Sequence, residues 1–107
     1  MPLPPSFDIA TVETDDTLRI VVQGELDLAT APRLEAALAA AESHPARAIV
    51  VDLAKVPFID SSGLRALLVA AARSRADGCR LSIAGPAPQA RQLFDLSGAS
   101  DRLPLVD

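Results

Sequence analysis

Two serines and an aspartate stand where the sequence turns from a loop into a helix. The stretch reads VPFIDSSGL over residues 56–64. Aspartate and serine commonly cap helices, because their oxygens accept hydrogen bonds from the free amides of the first turn. One cap needs only one side chain, so capping by Asp60 leaves the hydroxyls of Ser61 and Ser62 without a structural explanation. These hydroxyls are candidate acceptors of a phosphoryl group.

A phosphate on Ser61 suits this position in the isolated protein. A helix N-terminus carries about half a positive charge and favours an anion by about 0.3–1 kcal/mol. Under a bound partner, however, the phosphate adds about −1.5 to −2 charges beside Asp60, and burying them unpaired costs several kcal/mol. Because 1.4 kcal/mol corresponds to tenfold in affinity, a loss of about three orders of magnitude is within reach. The motif predicts a switch of binding, with Ser62 as the alternative acceptor in the same turn.

The residues after the serines predict an accessible surface. Gly63 costs about 1 kcal/mol of helix propensity relative to alanine, and we interpret its small size as keeping the hydroxyls open to a second protein or a phosphate donor. At 100° per residue, an outward strip with little charge lies opposite the leucines of this helix and could receive a partner; it consists of Ala66, Val69, Ala70 and Arg73. The alternative is that alanine is used here only as the best helix former.

Composition and charge exclude other functions. The chain has 107 residues, a formal net charge of −4, and neither tryptophan nor tyrosine, whereas a nucleic-acid binder needs a basic surface and aromatic platforms. The single cysteine and single histidine cannot form a disulfide or a zinc site; we interpret Cys79 as a buried thiol and His44 as a solvated turn residue. Scattered glycines and the lack of a nucleophile elbow predict a non-enzyme without cofactor or metal. No apolar run approaches 18 residues, so we expect a cytoplasmic protein without membrane insertion.

Hydrophobic periodicity divides the chain into alternating elements after a leader, residues 1–6, that we expect to be flexible. Strands are predicted over residues 7–13, 18–23, 48–53, 80–84 and 103–106, and helices over 30–43, 61–76 and 86–96. We expect Thr30 to cap the first helix, and the apolar third strand to be covered on both faces. The order β-β-α-β-α-β-α-β predicts one α/β domain over 7–107, with a mixed, mostly parallel sheet of about 4–5 strands packed with about 3–4 helices.

Three separated segments together resemble the bacterial anti-sigma factor antagonists, small proteins of the STAS class. They read GELD at 24–27, VDL through FIDSSGL at 51–64, and RQLFDLSG at 91–98. The second segment is the most specific, and in order and spacing the resemblance covers nearly the whole chain. It implies a STAS fold. Many members carry a further C-terminal helix, which we do not expect here, and we expect the fold to persist without it.

The resemblance also implies partner switching. In such proteins the unphosphorylated form binds an anti-sigma factor that is also an ATP-dependent serine kinase, and this binding frees the sigma factor. The kinase phosphorylates the first serine of the motif, here Ser61, which ends binding, and a metal-dependent serine phosphatase restores the protein. Asp60 would position that serine and cap the helix. Asp27 is expected near the same surface, unless it serves only as a cap or turn residue.

The partner-contacting residues that follow from these arguments lie in the loops before the first and second helices and along the second helix. They are Asp27, Asp60, Ser61, Ser62, Gly63, Arg65, Ala66, Val69 and Arg73. The alternative function is a non-catalytic STAS subunit of a membrane-transport complex or of a stress-signalling scaffold. Such a subunit needs no phosphorylatable serine.

Overall fold

The computed structural model describes residues 7–78 and 80–106. The expectations of a flexible leader over residues 1–6 and of a buried thiol at Cys79 therefore concern residues outside this range.

Within these described residues, five strands form one sheet, in the order β1-β2-β3-β4-β5. The strands are β1 (Asp8–Thr14), β2 (Thr17–Gln23), β3 (Ala48–Lys55), β4 (Leu81–Ala84) and β5 (Leu105–Val106). β1 and β2 form an antiparallel hairpin, whereas the three pairs from β2 to β5 are parallel. The predicted element order and the mixed, mostly parallel sheet are confirmed.

In the part of the chain that the structure describes, three α-helices and one short 3-10 helix connect the parallel strands. They are α1 (Ala31–Glu42), α2 (Ser61–Ala76), α3 (Pro88–Ser97) and the 3-10 helix Ala99–Asp101. α2 has the predicted bounds. α3 begins two residues later than predicted, because Ala87 precedes a proline and is held in an extended conformation with ψ 156°. Gly98 ends α3 with φ 79°, a conformation that glycine adopts without steric cost.

The core lies on one face of the sheet. Alternate side chains of β2 and β3 are buried, and they join buried side chains of all three α-helices in one cluster that includes Leu34, Leu67 and Phe94. Val50 and Asp52, on the opposite face of β3, are only half-buried, so the expectation that β3 is covered on both faces is wrong. The reason lies in the topology. Each strand from β3 to β5 is added on the same side of the preceding strand. Because crossovers between parallel strands are right-handed as a rule, all the connecting helices lie on the same face of the sheet.

Candidate functional site

Two loops lie side by side at the edge where β2 and β3 end. The Gly24 N–H donates to the Lys55 carbonyl, the Leu26 N–H to the Phe58 carbonyl, and the Asp60 N–H to the Leu26 carbonyl, each at 3.0 Å. These bonds join the GELD segment to residues 60–63, the DSSG motif. Such pairing is expected for loops that follow neighbouring parallel strands. Such carboxyl edges are where open α/β sheets usually place their binding sites.

Asp60 caps α2, as predicted. Its carboxylate oxygen Oδ1 accepts hydrogen bonds from the Ser62 N–H at 2.8 Å and from the Gly63 N–H at 3.1 Å. The cap therefore uses neither serine hydroxyl. Ser61 is exposed at the first helical position and Ser62 is half-buried. Neither hydroxyl makes a hydrogen bond within the residues that the structure describes.

Gly63 is buried, and its small size serves packing. A Cβ atom at this position would lie 2.7 Å from Leu26 Cγ and 2.8 Å from Ile59 Cγ1, well inside van der Waals contact. The first turn of α2 thus sits directly on the two paired loops. Our interpretation that this glycine keeps the hydroxyls open is corrected, as is its place among the partner-contacting residues.

Asp27 organises the loop that precedes α1. Its Oδ1 accepts from the Ala29 N–H at 3.0 Å and from the Thr30 N–H at 3.1 Å, so it is a turn residue, one of the two roles considered for it. Thr30 occupies the N-cap position, but its side chain makes no capping bond to α1, contrary to prediction. Its hydroxyl instead donates to the Glu25 carbonyl at 2.8 Å and ties the loop together. Asp27 directly follows Leu26, whose carbonyl accepts from the Asp60 N–H, so it lies in the loop that pairs with the DSSG motif.

Of the strip predicted to face outward on α2, two residues are buried and two are exposed. Ala66 and Ala70 are only 6% and 3% exposed, so the prediction that they form an outward surface is wrong. α2 is buried on two sides, by the sheet and by α1, and its buried arc is therefore wider than the leucine stripe. Val69 is 44% exposed, and Arg73 pairs with Glu42 of α1 at 3.0 Å.

A groove of about 240 Å³ lies between α1 and α2, and Ser62 of the DSSG motif is part of its lining. Ala66 contributes to its lining from a buried position. The groove brings together several of the predicted partner-contacting residues with two residues of α1; its lining consists of Glu35, Leu38, Ser62, Arg65, Ala66, Val69 and Arg73.

Two exposed apolar side chains beside the motif were not assigned a role by sequence reasoning. Leu28 is 76% exposed in the turn that Asp27 organises, and Phe58 is 45% exposed in the paired loop. Contiguous exposed apolar side chains are typical of protein interaction surfaces, and these two lie in loops that are hydrogen-bonded to each other. The available signal was that both residues lie in loops, outside any helical or strand periodicity.

Asp52 carries the one titratable group with a clearly shifted pKa among the residues described. Burial acts to raise the pKa of this carboxyl group. The Ala54 N–H, which donates to it at 2.9 Å, together with the positive charges of Arg19 at 2.9 Å and of Lys55, holds the pKa below its ordinary value. Asp52 lies on the uncovered face of β3, where its ion pair with Arg19 joins β3 to β2.

The arrangement leaves polar and apolar side chains exposed around Ser61. Over residues 7–78 and 80–106, no three His, Cys, Asp or Glu side chains are grouped to hold a metal ion, and no helix is long and apolar enough to cross a membrane. Fold and site define a small α/β domain that presents an exposed serine at a helix start.

Comparison with known proteins agrees with this class. The family described as "Mlab, STAS domain" matches residues 9–107, and the chain belongs to the STAS domain family. An anti-sigma-B factor antagonist of Staphylococcus epidermidis is 31% identical over 96 residues, which cover 90% of this chain and 89% of that protein. The crystal structure of an anti-sigma factor antagonist from Mycobacterium paratuberculosis has a TM-score of 0.84 and 28% identity, over 98% of this chain and 89% of that one.

The fold is shared with a protein solved in two phosphorylation states. SpoIIAA in its unphosphorylated form has a TM-score of 0.73 at 24% identity, over 95% of this chain and 89% of that one. The phosphorylated form of the Bacillus protein has a TM-score of 0.68, also at 24% identity, over 95% of this chain and 92% of that one. At this identity the likeness concerns the fold.

Proposed function

We propose that this protein is an anti-sigma factor antagonist whose binding is switched off by phosphorylation of Ser61. The unphosphorylated form binds an anti-sigma factor that is also a serine kinase, and the sigma factor is thereby released. One observation carries the proposal: Asp60 caps α2, which leaves Ser61 exposed at the helix start, its hydroxyl without a hydrogen bond to any residue that the structure describes. The similarity to anti-sigma factor antagonists supports it.

In this function Ser61 is a substrate residue, and the protein itself is not an enzyme. The Ser61 oxygen attacks the γ-phosphorus of the ATP bound by the kinase, ADP leaves, and the hydroxyl proton passes to a base of the kinase or to water. A serine phosphatase hydrolyses the phosphate and restores the binding form. We place these exchanges in the cytoplasm and assign the STAS domain to residues 7–107.

The partner surface in this proposal surrounds Ser61. It combines the exposed apolar side chains of Leu28 and Phe58 with polar groups of the two loops and of α2. A phosphate at its centre brings about two negative charges next to the Asp60 carboxylate, and a closely docked partner would have to bury them. The same phosphate leaves the fold intact, because the start of α2 offers positive charge to it. From the predicted set we retain Asp27, Asp60, Ser61, Ser62, Arg65, Val69 and Arg73.

Binding of the anti-sigma factor tests the proposal. The Ser61→Ala variant should remain bound and accept no phosphate, whereas Ser61→Glu should weaken the complex by at least about tenfold, which is about 1.4 kcal/mol. Ser43→Glu, at the far end of α1, is the matched control and should bind normally. The measurements are isothermal titration calorimetry and mass spectrometry of the kinase reaction. Phosphate on neither Ser61 nor Ser62 with any kinase encoded in the same genome would contradict the proposal.

A second function is compatible with the family description, which names Mlab and the STAS domain without naming an anti-sigma factor. In this alternative the chain is a non-catalytic subunit of a membrane-transport complex or of a signalling scaffold. Ser61→Ala would then leave function intact, and affinity purification would recover a transport ATPase instead of a small kinase.

A further inference from the structure

Arg65 lies one helical turn after Ser61, and no other residue that the structure describes is paired with it. It is exposed on α2, and within the described residues it makes no hydrogen bond or ion pair. Other arginines are engaged: Arg73 pairs with Glu42 at 3.0 Å, and Arg80 donates to three backbone carbonyls at 2.7–2.9 Å. Among the described residues, Arg65 is therefore a cation without a counter-ion next to the proposed modification site.

Helix geometry directs this side chain toward the serines. Residues four apart lie on one face of a helix, about 5–6 Å apart at their Cβ atoms, so Arg65 is a neighbour of Ser61. Side chains of a helix tilt toward its N-terminus, which carries the long Arg65 side chain back over the first turn. Ser62 and Arg65 also line the same groove between α1 and α2. The guanidinium group can thus reach a phosphate at the start of the helix.

We propose that Arg65 is the intramolecular counter-ion of the phosphate on Ser61. This inference rests on the proposed function in that it takes Ser61 as the modified residue. A guanidinium binds phosphate oxygens through two parallel hydrogen bonds, an arrangement stronger and more directional than a single contact. The pair holds the phosphate against α2. It also withdraws Arg65 from the surface offered to a partner, so that one modification both adds negative charge and removes a free cation.

The titration of the phosphate tests this pairing. Phosphoserine is installed at position 61 during translation or by chemical ligation, without any kinase, and its second ionisation is followed by phosphorus NMR at low salt. Because Arg65 favours the dianion, Arg65→Gln should raise the phosphate pKa by roughly half a unit. Arg65→Lys retains the charge and should give a smaller rise. In 1 M salt the difference between the original protein and Arg65→Gln should shrink, because the pair is exposed.

Arg47→Gln is the matched control. It removes an exposed arginine, paired with Asp16 at 3.7 Å, at the opposite end of the sheet next to the start of β3, and should leave the phosphate pKa unchanged. Equal phosphate pKa values in the original protein and in Arg65→Gln would overturn the pairing, and so would an equal rise in Arg47→Gln. Circular dichroism verifies that each variant is folded. Since no partner takes part, this result is independent of the binding test of the proposed function.

Discussion

Replacement of Gly63 by alanine tests how closely α2 is seated on the paired loops. The new Cβ atom would lie 2.7 Å from Leu26 Cγ and 2.8 Å from Ile59 Cγ1, whereas carbon atoms pack at about 3.5–4.0 Å. Both contacted atoms are inner atoms of buried side chains, so neither can rotate away freely. Overpacking of this kind costs about 1–3 kcal/mol, and the better helix propensity of alanine offsets about 1 kcal/mol.

We place the cost near the upper end of that range because two separate side chains are contacted, and we expect a net loss of about 1–2 kcal/mol. In a domain of this size such a loss lowers the melting temperature by about 5–15 °C. The protein has no tryptophan or tyrosine, so unfolding in urea or by heat is best followed by far-UV circular dichroism.

A double-mutant cycle separates the clash from other effects of the substitution. In a Leu26→Ala background one of the two contacts is removed, so Gly63→Ala should cost less than it does in the original protein. An equal loss of unfolding free energy in the two backgrounds would show that Leu26 is not the reason why position 63 requires glycine. A Gly63→Ala variant as stable as the original protein would refute the close packing of α2 on these loops.

Three further predictions concern the cap, the sheet and the partner surface. Asp60→Ala should cost about 1 kcal/mol in thermal unfolding, because two first-turn amides lose their acceptor, and Asp60→Asn should recover most of it. Because the pKa of Asp52 is lowered in the folded protein, its contribution to stability is present above the ordinary pKa of 3.8 and is lost as the pH falls through the lower folded-state pKa. Asp52→Asn should therefore flatten the dependence of the urea unfolding midpoint on pH below about 4. Leu28→Ala and Phe58→Ala should each weaken binding of the anti-sigma factor by at least about tenfold in calorimetry, about 1.4 kcal/mol, with little change in melting temperature. Leu96→Ala, which removes a side chain 79% exposed on α3, is the control, and an equal loss of affinity in all three variants would contradict the assigned surface.

Much of the fold could be predicted because local patterns and tertiary packing agree. The alternation of Leu18, Ile20 and Val22 marks the buried face of β2, and the leucines of α2 recur with helical spacing. The aspartate and the serines that follow it identify the residue at which α2 starts, because Asp60 accepts its capping hydrogen bonds from residues close to it in the chain. The later start of α3 is also a local effect, because Pro88 restricts the residue before it.

The sequence by itself determined the element order, the capped helix start and the serine placed there, because these depend on interactions between residues close in the chain. Only the tertiary structure decided which surface surrounds that serine. Burial of Ala66 depends on α1, the need for a glycine at position 63 depends on Leu26, and the exposure of Leu28 depends on a loop held by Asp27. Helical periodicity identifies one buried stripe, whereas the second buried side of α2 is set by how neighbouring elements pack. Contacts between segments far apart in sequence leave no local pattern, so they become visible only in the folded protein.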